Sequence, residues 1–401
     1  MFKLSNLKKF TKDNWTYLSC DFDVTEIKNP FQEKTMWVAV EEKNADMLAD
    51  NVYDPFVLVP VILGMYYKQD VHIEGNISPR LYHNMKHYLM NIFDRFSDHT
   101  SPVKFTVNGF DTVKPNGGVN LIGTGISCGV DSLVTIYDNY INEKDPNFRI
   151  NSLFFVNCGT HGDFEDKASH KKYWDRVALN KTGAEDLGLP MYLINSNYHA
   201  FTHKWGEQTI GYLAIYSCVL SLQKYIRRYY TSSNLSYDEI AEFNRLSRDF
   251  DIAEYCESFM PHLISTECFE LVIDGCQYTR AEKTERISEW EFAQKHINVC
   301  NSLDSGAQNC SYCNKCMWTL IPLEAMGKLD KFKKVFNIDV YKKNAYKWKC
   351  SFLSHYGKDS METSIIRYAK KHNLSLPPKW FAKIYWFMYR VFRKIGLIDN
   401  K

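Results

Sequence analysis

Val119-Asn120-Leu121-Ile122-Gly123-Thr124-Gly125-Ile126-Ser127-Cys128-Gly129-Val130-Asp131-Ser132 is the stretch on which the fold of this chain turns. The apolar run Val119 to Ile122 predicts a strand. A turn rich in small and hydroxyl residues follows, and the pattern then enters a helix over Ser132–Tyr140. Such a turn exposes consecutive backbone N–H groups, and the helix N-terminus adds partial positive charge. With the Ser127 and Ser132 hydroxyls, this is the make-up of a phosphate cradle. No Gly-Lys-Ser/Thr follows at the spacing a Walker loop needs. The plain alternative is a strand-to-helix turn capped by a serine.

Outward from this stretch the chain alternates. Ser152–Val156 reads as a strand, Asp166–Leu187 as a polar helix and Tyr192–Ile194 as a strand. Ile210–Tyr225 reads as a buried helix, and Arg228–Thr231 as a strand ending in Ser232-Ser233-Asn234. Alternation of this kind predicts an α/β fold, a parallel sheet with helices on both faces, whose ligands bind at the carboxyl ends of the strands. Ser127–Ser132, Asn157-Cys158-Gly159-Thr160-His161 and Ser232–Asn234 all fall at such ends. Before it, Met36–Val40, Val71–Glu74 and Val103–Val107 read as strands. Asp54-Pro55 opens a buried helix to Met65, and Ser78-Pro79 starts a helix to about Phe96. Lys114-Pro115-Asn116-Gly117-Gly118 is the best boundary. The expected organisation is an N-terminal α+β domain over 1–115, a nucleotide-binding domain over 119–330 and a helical extension over 331–401.

Cys300, Cys310, Cys313 and Cys316 form a C-x9-C-x2-C-x2-C cluster in a polar segment. Tight C-x2-C turns let thiolates converge on one ion, and four of them close the shell of a structural Zn2+ with no position left for water. An iron–sulfur cluster is the other species such thiolates hold. Cys218, Cys268 and Cys276, among apolar neighbours, read as small core residues.

At 401 residues the chain exceeds one ordinary domain. Its net charge of +2 argues against a global attraction to nucleic acid. Twelve cysteines, four of them in metal spacing, fit a reducing compartment better than a disulfide scaffold. Met1–Phe10 lacks the apolar core of a secretory signal, and no uncharged apolar run reaches the ~18 residues of a membrane span. The expectation is a cytoplasmic protein.

The order Ser-x-Gly-x-Asp-Ser at 127–132 resembles the pyrophosphate loop of ATP pyrophosphatases, usually Ser-Gly-Gly-x-Asp-Ser, with Cys128 in place of the first glycine. Loop and four-cysteine knuckle together resemble 7-cyano-7-deazaguanine synthases (the QueC family). The resemblance spans Val119 to Lys328 and includes, more loosely, Asp274-Gly275 and Thr279-Arg280-Ala281-Glu282-Lys283-Thr284. It implies an adenine-nucleotide α-hydrolase-like sheet in a longer, QueC-like variant that carries an extra N-terminal domain. It also implies an enzyme that splits ATP into AMP and pyrophosphate to activate a carboxylate or carbonyl oxygen, that of a 7-deazaguanine in the family, for attack by ammonia. A protein amine, recognised by the N-terminal domain in antiviral defence, is a second nitrogen donor that the resemblance implies.

On that reading, Ser127, Cys128, Gly129, Val130, Asp131 and Ser132, with Asn157, Ser232 and Ser233, would bind ATP. Asp131 would hold Mg2+, and Arg280 and Lys283 would stabilise phosphate charge. His161, Asp163, Glu165 and Asp166 would shape the acceptor pocket, with Glu267 and Asp274 as weaker candidates. The expected partners are a small-molecule acceptor and a second copy in a homo-oligomer. The competing readings are a sugar-nucleotide amidotransferase of surface-glycan synthesis, a tRNA-modifying enzyme with the same loop, and a non-catalytic ATP-binding scaffold.

In the tail, Lys379, Lys383, Arg390 and Lys394 share one stripe of a helix otherwise covered by Trp380, Phe381, Ile384, Phe387, Met388, Val391 and Phe392. Docking on the protein's own core with snorkelling lysines is the expected role. An anionic membrane surface or RNA phosphates are the alternatives.

Overall fold

The computed structural model describes residues 1–95, 97–159, 167–202, 207–246, 257–300 and 309–395. Its strands are β1 (Phe2–Lys12), β2 (Trp15–Val24), β3 (Thr35–Glu41), β4 (Val71–Ile77), β5 (Phe105–Phe110), β6 (Leu121–Gly125), β7 (Ser152–Asn157), β8 (Met191–Ser196), β9 (Ile226–Ser232) and β10 (Glu270–Asp274). The helices used below are α1 (Leu58–Tyr67), α2 (79–95), α3 (Val130–Ile136), α4 (Lys167–Leu187), α5 (Glu207–Leu220), α6 (Tyr237–Leu246), α7 (Arg280–Ile287), α8 (Asn314–Ala325), α9 (Ile338–His355), α10 (Ser360–Lys371) and α11 (Lys379–Lys394). The described residues divide into two compact units. One comprises 1–126, 138–232 and 257–274, and the other 127–137, 233–246 and 275–395.

The first unit holds one ten-stranded sheet in the order β10-β9-β6-β7-β8-β3-β2-β1-β4-β5. From β10 to β8 every neighbour is parallel. Counted along the chain, β6 to β10 lie in the order 3-2-1-4-5, the doubly wound arrangement of Rossmann-like sheets, with the reversal between β6 and β9. Strands of this half read as near-continuous apolar runs because both faces are covered. In β7, Ser152, Leu153, Phe154, Phe155 and Asn157 are all buried. The fold is therefore α/β with a mostly parallel sheet.

The residues before 115 do not build a sheet of their own. β3 pairs antiparallel with β8, setting Val38 opposite Ser196 and Val40 opposite Ile194. β2 and β1 continue antiparallel, and β4 and β5 run parallel to β1. The strands expected at 36–40, 71–74 and 103–107 are present, as are α1 and α2. β1, β2 and β10 were not foreseen. In β1 the side chains of Phe2 and Leu4 are wholly buried while the lysine-rich remainder is largely exposed, so its apolar alternation is too short to read. Edge-to-face and tilted contacts among Phe2, Phe22, Phe31 and Phe201, with centroids 5.2–6.2 Å apart, fill the core beside α1 and explain part of the aromatic richness.

The second unit is built from helices. Its core joins Val130, Leu133 and Val134 of α3 to Ile287 of α7, Met317 and Leu320 of α8, Tyr341 and Phe352 of α9, and Ile365 of α10. The chain passes from the carboxyl end of β6 straight into residues 126–129 and then α3, so the turn at 127–129 marks both a strand end and a helix start.

Candidate anion site and cysteine metal centre

Cys128 has φ +55°, in the left-handed region where glycine is at ease and other residues are strained by roughly 1–2 kcal/mol. It stands where the motif it resembles has glycine. Two features hold it there. Its side chain is fully buried, which pushes the thiol up to about 12, and its carbonyl accepts a 2.7 Å hydrogen bond from Asn298 N–H. Gly129 then caps α3. Ser127 Oγ lies 3.1 Å from Ser132 Oγ and accepts from Gly129 N–H at 3.3 Å, while Ser132 Oγ donates to the Gly129 carbonyl at 3.1 Å. Ser127 is exposed and Ser132 buried. The Val130 side chain belongs to the core, which leaves only its backbone for a ligand.

Asp131, in the first turn of α3, is where distant parts of the sequence meet. One carboxylate oxygen accepts from Arg280 Nη1, and the other from Lys283 Nζ at 3.2 Å. The side chains of Arg280 and Lys283 are 7% and 1% exposed, and that of Asp131 19%, so all three ions are largely withdrawn from water. Burial by itself would raise the Asp131 pKa. The two cations and their hydrogen bonds outweigh it and hold the carboxyl below its usual range. Lys283 Nζ also donates to the Ser233 carbonyl at 2.6 Å and its hydroxyl at 3.0 Å.

A capping box starts α7. Thr279 N–H donates to Glu282 Oε2 at 2.8 Å, and Glu282 N–H to Thr279 Oγ1 at 3.4 Å. The cap sets Arg280 and Lys283 three residues apart on one face. Gly275 has φ +89°, and a Cβ there would lie 3.4 Å from Lys283 Cε and 3.3 Å from Ser233 Oγ. Glycine is needed at that position.

The structure thus joins Asp131, Arg280, Lys283 and Ser233 with the 127–132 turn. Ser233 holds a lysine, which was not its expected role. Asp131, expected to hold Mg2+, has both oxygens engaged by cations. Asn157 and Ser232 end β7 and β9 in the first unit, where Asn157 Oδ1 accepts from Gly159 N–H at 3.1 Å. Glu267 accepts from Arg80 N–H at the start of α2, a structural cap. His161, Asp163, Glu165 and Asp166 lie outside the described residues.

Three participants escaped the sequence reading. Asn298 anchors the Cys128 carbonyl. Glu239, in α6, is buried and bonded to Ser364 and Ser236; burial raises its pKa, and its charge and that of Lys283 stabilise each other. Lys315, between two knuckle cysteines, has its pKa lowered by desolvation and then by the like charge of Arg280, with Asp131 opposing. Its place inside the C-x2-C pattern was the one available clue.

The Sγ atoms of Cys300, Cys310, Cys313 and Cys316 all lie within 4.8 Å of one another. Cys300 and Cys313 approach to 3.9 Å, and Cys310 and Cys316 to 3.8 Å. A tetrahedron of thiolates about 2.3 Å from one zinc has edges of about 3.8 Å, whereas a disulfide needs about 2.05 Å. The geometry therefore fits one ion, and the cluster could hold a metal such as zinc. A multi-iron cluster would spread its thiolates wider.

The knuckle is tied down locally. Cys313 N–H donates to Cys310 Sγ at 3.3 Å, and Ser311 Oγ accepts from Asn337 N–H at 2.9 Å. Asn309 bridges Val299 N–H, the Ile297 carbonyl and the Val335 carbonyl. Asn298, which holds the Cys128 carbonyl, is two residues from Cys300, so the cysteine cluster and the 127–132 turn share one short segment.

No family model, no curated protein and no solved structure matches this chain.

Proposed function

We propose that the chain is an ATP pyrophosphatase similar to the 7-cyano-7-deazaguanine synthases. It would transfer AMP to a carboxylate or carbonyl oxygen of a small acceptor, a 7-deazaguanine first among candidates, for displacement by a nitrogen nucleophile. The observation that carries the reading is the Asp131–Arg280–Lys283 cluster at the start of α3, with two cations against one anion. Among the described residues Arg280 Nε is buried without a hydrogen-bond partner, which leaves a charged donor for a phosphate oxygen. The position after the first strand of a 3-2-1-4-5 sheet supports it further.

In this scheme the acceptor oxygen attacks the α-phosphorus, the bond to the bridging oxygen breaks, and pyrophosphate leaves with the electron pair. The backbone N–H groups of 130–132 and the Arg280 guanidinium would stabilise the charge that builds on the leaving group. Lys283, fully buried, acts through its charge and by orienting Asp131. The nitrogen nucleophile then adds to the activated carbon, and AMP departs with the C–O electron pair. Mg2+, when bound with the nucleotide phosphates, supplies additional positive charge. Loss of one preorganised donor typically costs ~10²–10³ in rate.

The test is mass spectrometry of ATP, Mg2+, ammonia and 7-carboxy-7-deazaguanine incubated with the protein. AMP, pyrophosphate and a deazaguanine amide or nitrile are expected, with Arg280→Ala slower by ~10²–10³. AMP formed only with a sugar or protein acceptor would keep the chemistry and change the substrate. ATP left intact under every condition would overturn the proposal.

A further inference from the structure

α11 leaves a continuous apolar arc uncovered. One side of the helix is docked: Ala382 is fully buried, Tyr385 meets Tyr346 of α9 edge-on at 5.7 Å, and Trp386 meets His355 at 6.1 Å. Tyr389 lies under Lys347 at 5.4 Å. At 3.6 residues per turn, Trp380, Ile384, Phe387, Met388, Val391 and Ile395 share the face turned away from α9. Trp380 is 67% exposed, Phe387 66%, Ile395 61% and Ile384 56%. The expected docking on the protein's own core therefore accounts for only one side of this helix.

The charge pattern selects the occupant. Lys379, Lys383, Arg390 and Lys394 form a stripe between the docked side and the apolar arc, and Arg393 adds a fifth base. From 379 to 395 there is no acidic residue. A second copy meeting this face about a two-fold axis would set these bases against their own kind. A nucleic acid would engage the bases but leave Ile384, Met388 and Val391 in water, since base stacking needs aromatic platforms. An anionic bilayer satisfies both, with the aliphatic and aromatic side chains at the acyl boundary and the lysines and arginines among the headgroups. No helix among the described residues is long and apolar enough to cross a membrane, so the helix would lie in the surface plane.

We infer that α11 is an in-plane anchor that seats this protein on anionic lipid membranes. Full-length protein is tested by flotation with phosphatidylcholine vesicles, with and without phosphatidylglycerol, at low and high salt. It is expected to float with the anionic vesicles, more strongly at low salt, and to stay behind with neutral ones. Trp380→Ser/Ile384→Ser/Phe387→Ser is expected to weaken binding at least tenfold with the melting temperature unchanged, because these side chains support no core. Lys383→Gln and Arg390→Gln are each expected to weaken it about fivefold. Absence of flotation with anionic vesicles at low salt would overturn the inference. So would unchanged flotation of the triple serine variant, or a dimer or RNA complex of the wild type that the triple variant cannot form. No nucleotide or turnover enters the assay, so its result is independent of the proposed ATP chemistry.

Discussion

Asp131→Asn keeps the shape of the side chain and removes the carboxylate that, among the described residues, bonds both Arg280 and Lys283. What remains is two cations, 7% and 1% exposed, facing each other across a neutral amide. Stranding a buried charge by removing its partner typically costs about 3–5 kcal/mol. Here two cations lose one shared anion, which puts the variant in the upper part of that range. For a unit of this size the loss corresponds to a melting point lower by roughly 10–15 °C, readable by calorimetry or circular dichroism.

The pH dependence has a definite sign. The folded carboxyl titrates below its ordinary value of 3.8, so its contribution is present above that value and is lost only as pH falls through the lowered one. The gap between wild type and variant should thus be constant from about pH 8 to about pH 5 and close below about pH 4. Added pyrophosphate should restore part of the lost stability, since saturation a hundredfold above Kd is worth about 2.7 kcal/mol. A variant within 1 kcal/mol of wild type in the absence of any anion would refute the ion cluster and the function built on it.

Other expectations follow from the same structure. Asp54 is wholly buried against Ser78 and Gln223, and burial, only partly offset by their hydrogen bonds, raises its pKa to about 6. Stability should fall as pH rises from about 4 to about 6, by up to about 3 kcal/mol, and Asp54→Asn should flatten that window in pH-dependent denaturation. Cys128→Gly should stay within about 1 kcal/mol of wild type, because relief of the left-handed backbone offsets the lost thiol burial; Cys128→Val should lose about 2 kcal/mol or more. Elemental analysis should find one metal ion per chain, absent in a variant with Cys313 and Cys316 changed to serine. Stripping the metal should also deprotect the Asn298 amide in hydrogen exchange, since that amide holds the Cys128 carbonyl.

Four strands of the parallel half of the sheet were legible because short apolar segments ending in small-residue turns alternate there with helices. β7, β8 and β9 lie where the sequence puts them, and β6 begins two residues later than Val119. β1, β2 and β10 were not legible. A strand such as Phe2–Lys12 is apolar for only two buried positions, and it is held both by its hairpin partner Trp15–Val24 and by Val71 and Ile73, more than 50 residues away. For the same reason the boundary at 114–118 is a loop inside one compact unit, since β3 and β8 pair across it.

What the sequence by itself determined is local. The C-x2-C spacing brings thiols together, Thr279-x-x-Glu282 starts a helix with Arg280 and Lys283 on one face, and Ser127–Ser132 forms a turn at a helix N-terminus. Each needs only neighbours within a few turns of the chain. Tertiary structure alone decided that Asp131 meets two cations 149 and 152 residues away, that Asn298 braces a cysteine in a glycine conformation, and that one face of α11 stays uncovered. Contacts at that separation leave no periodicity to read, because closing so long a loop depends on the packing of everything between its ends.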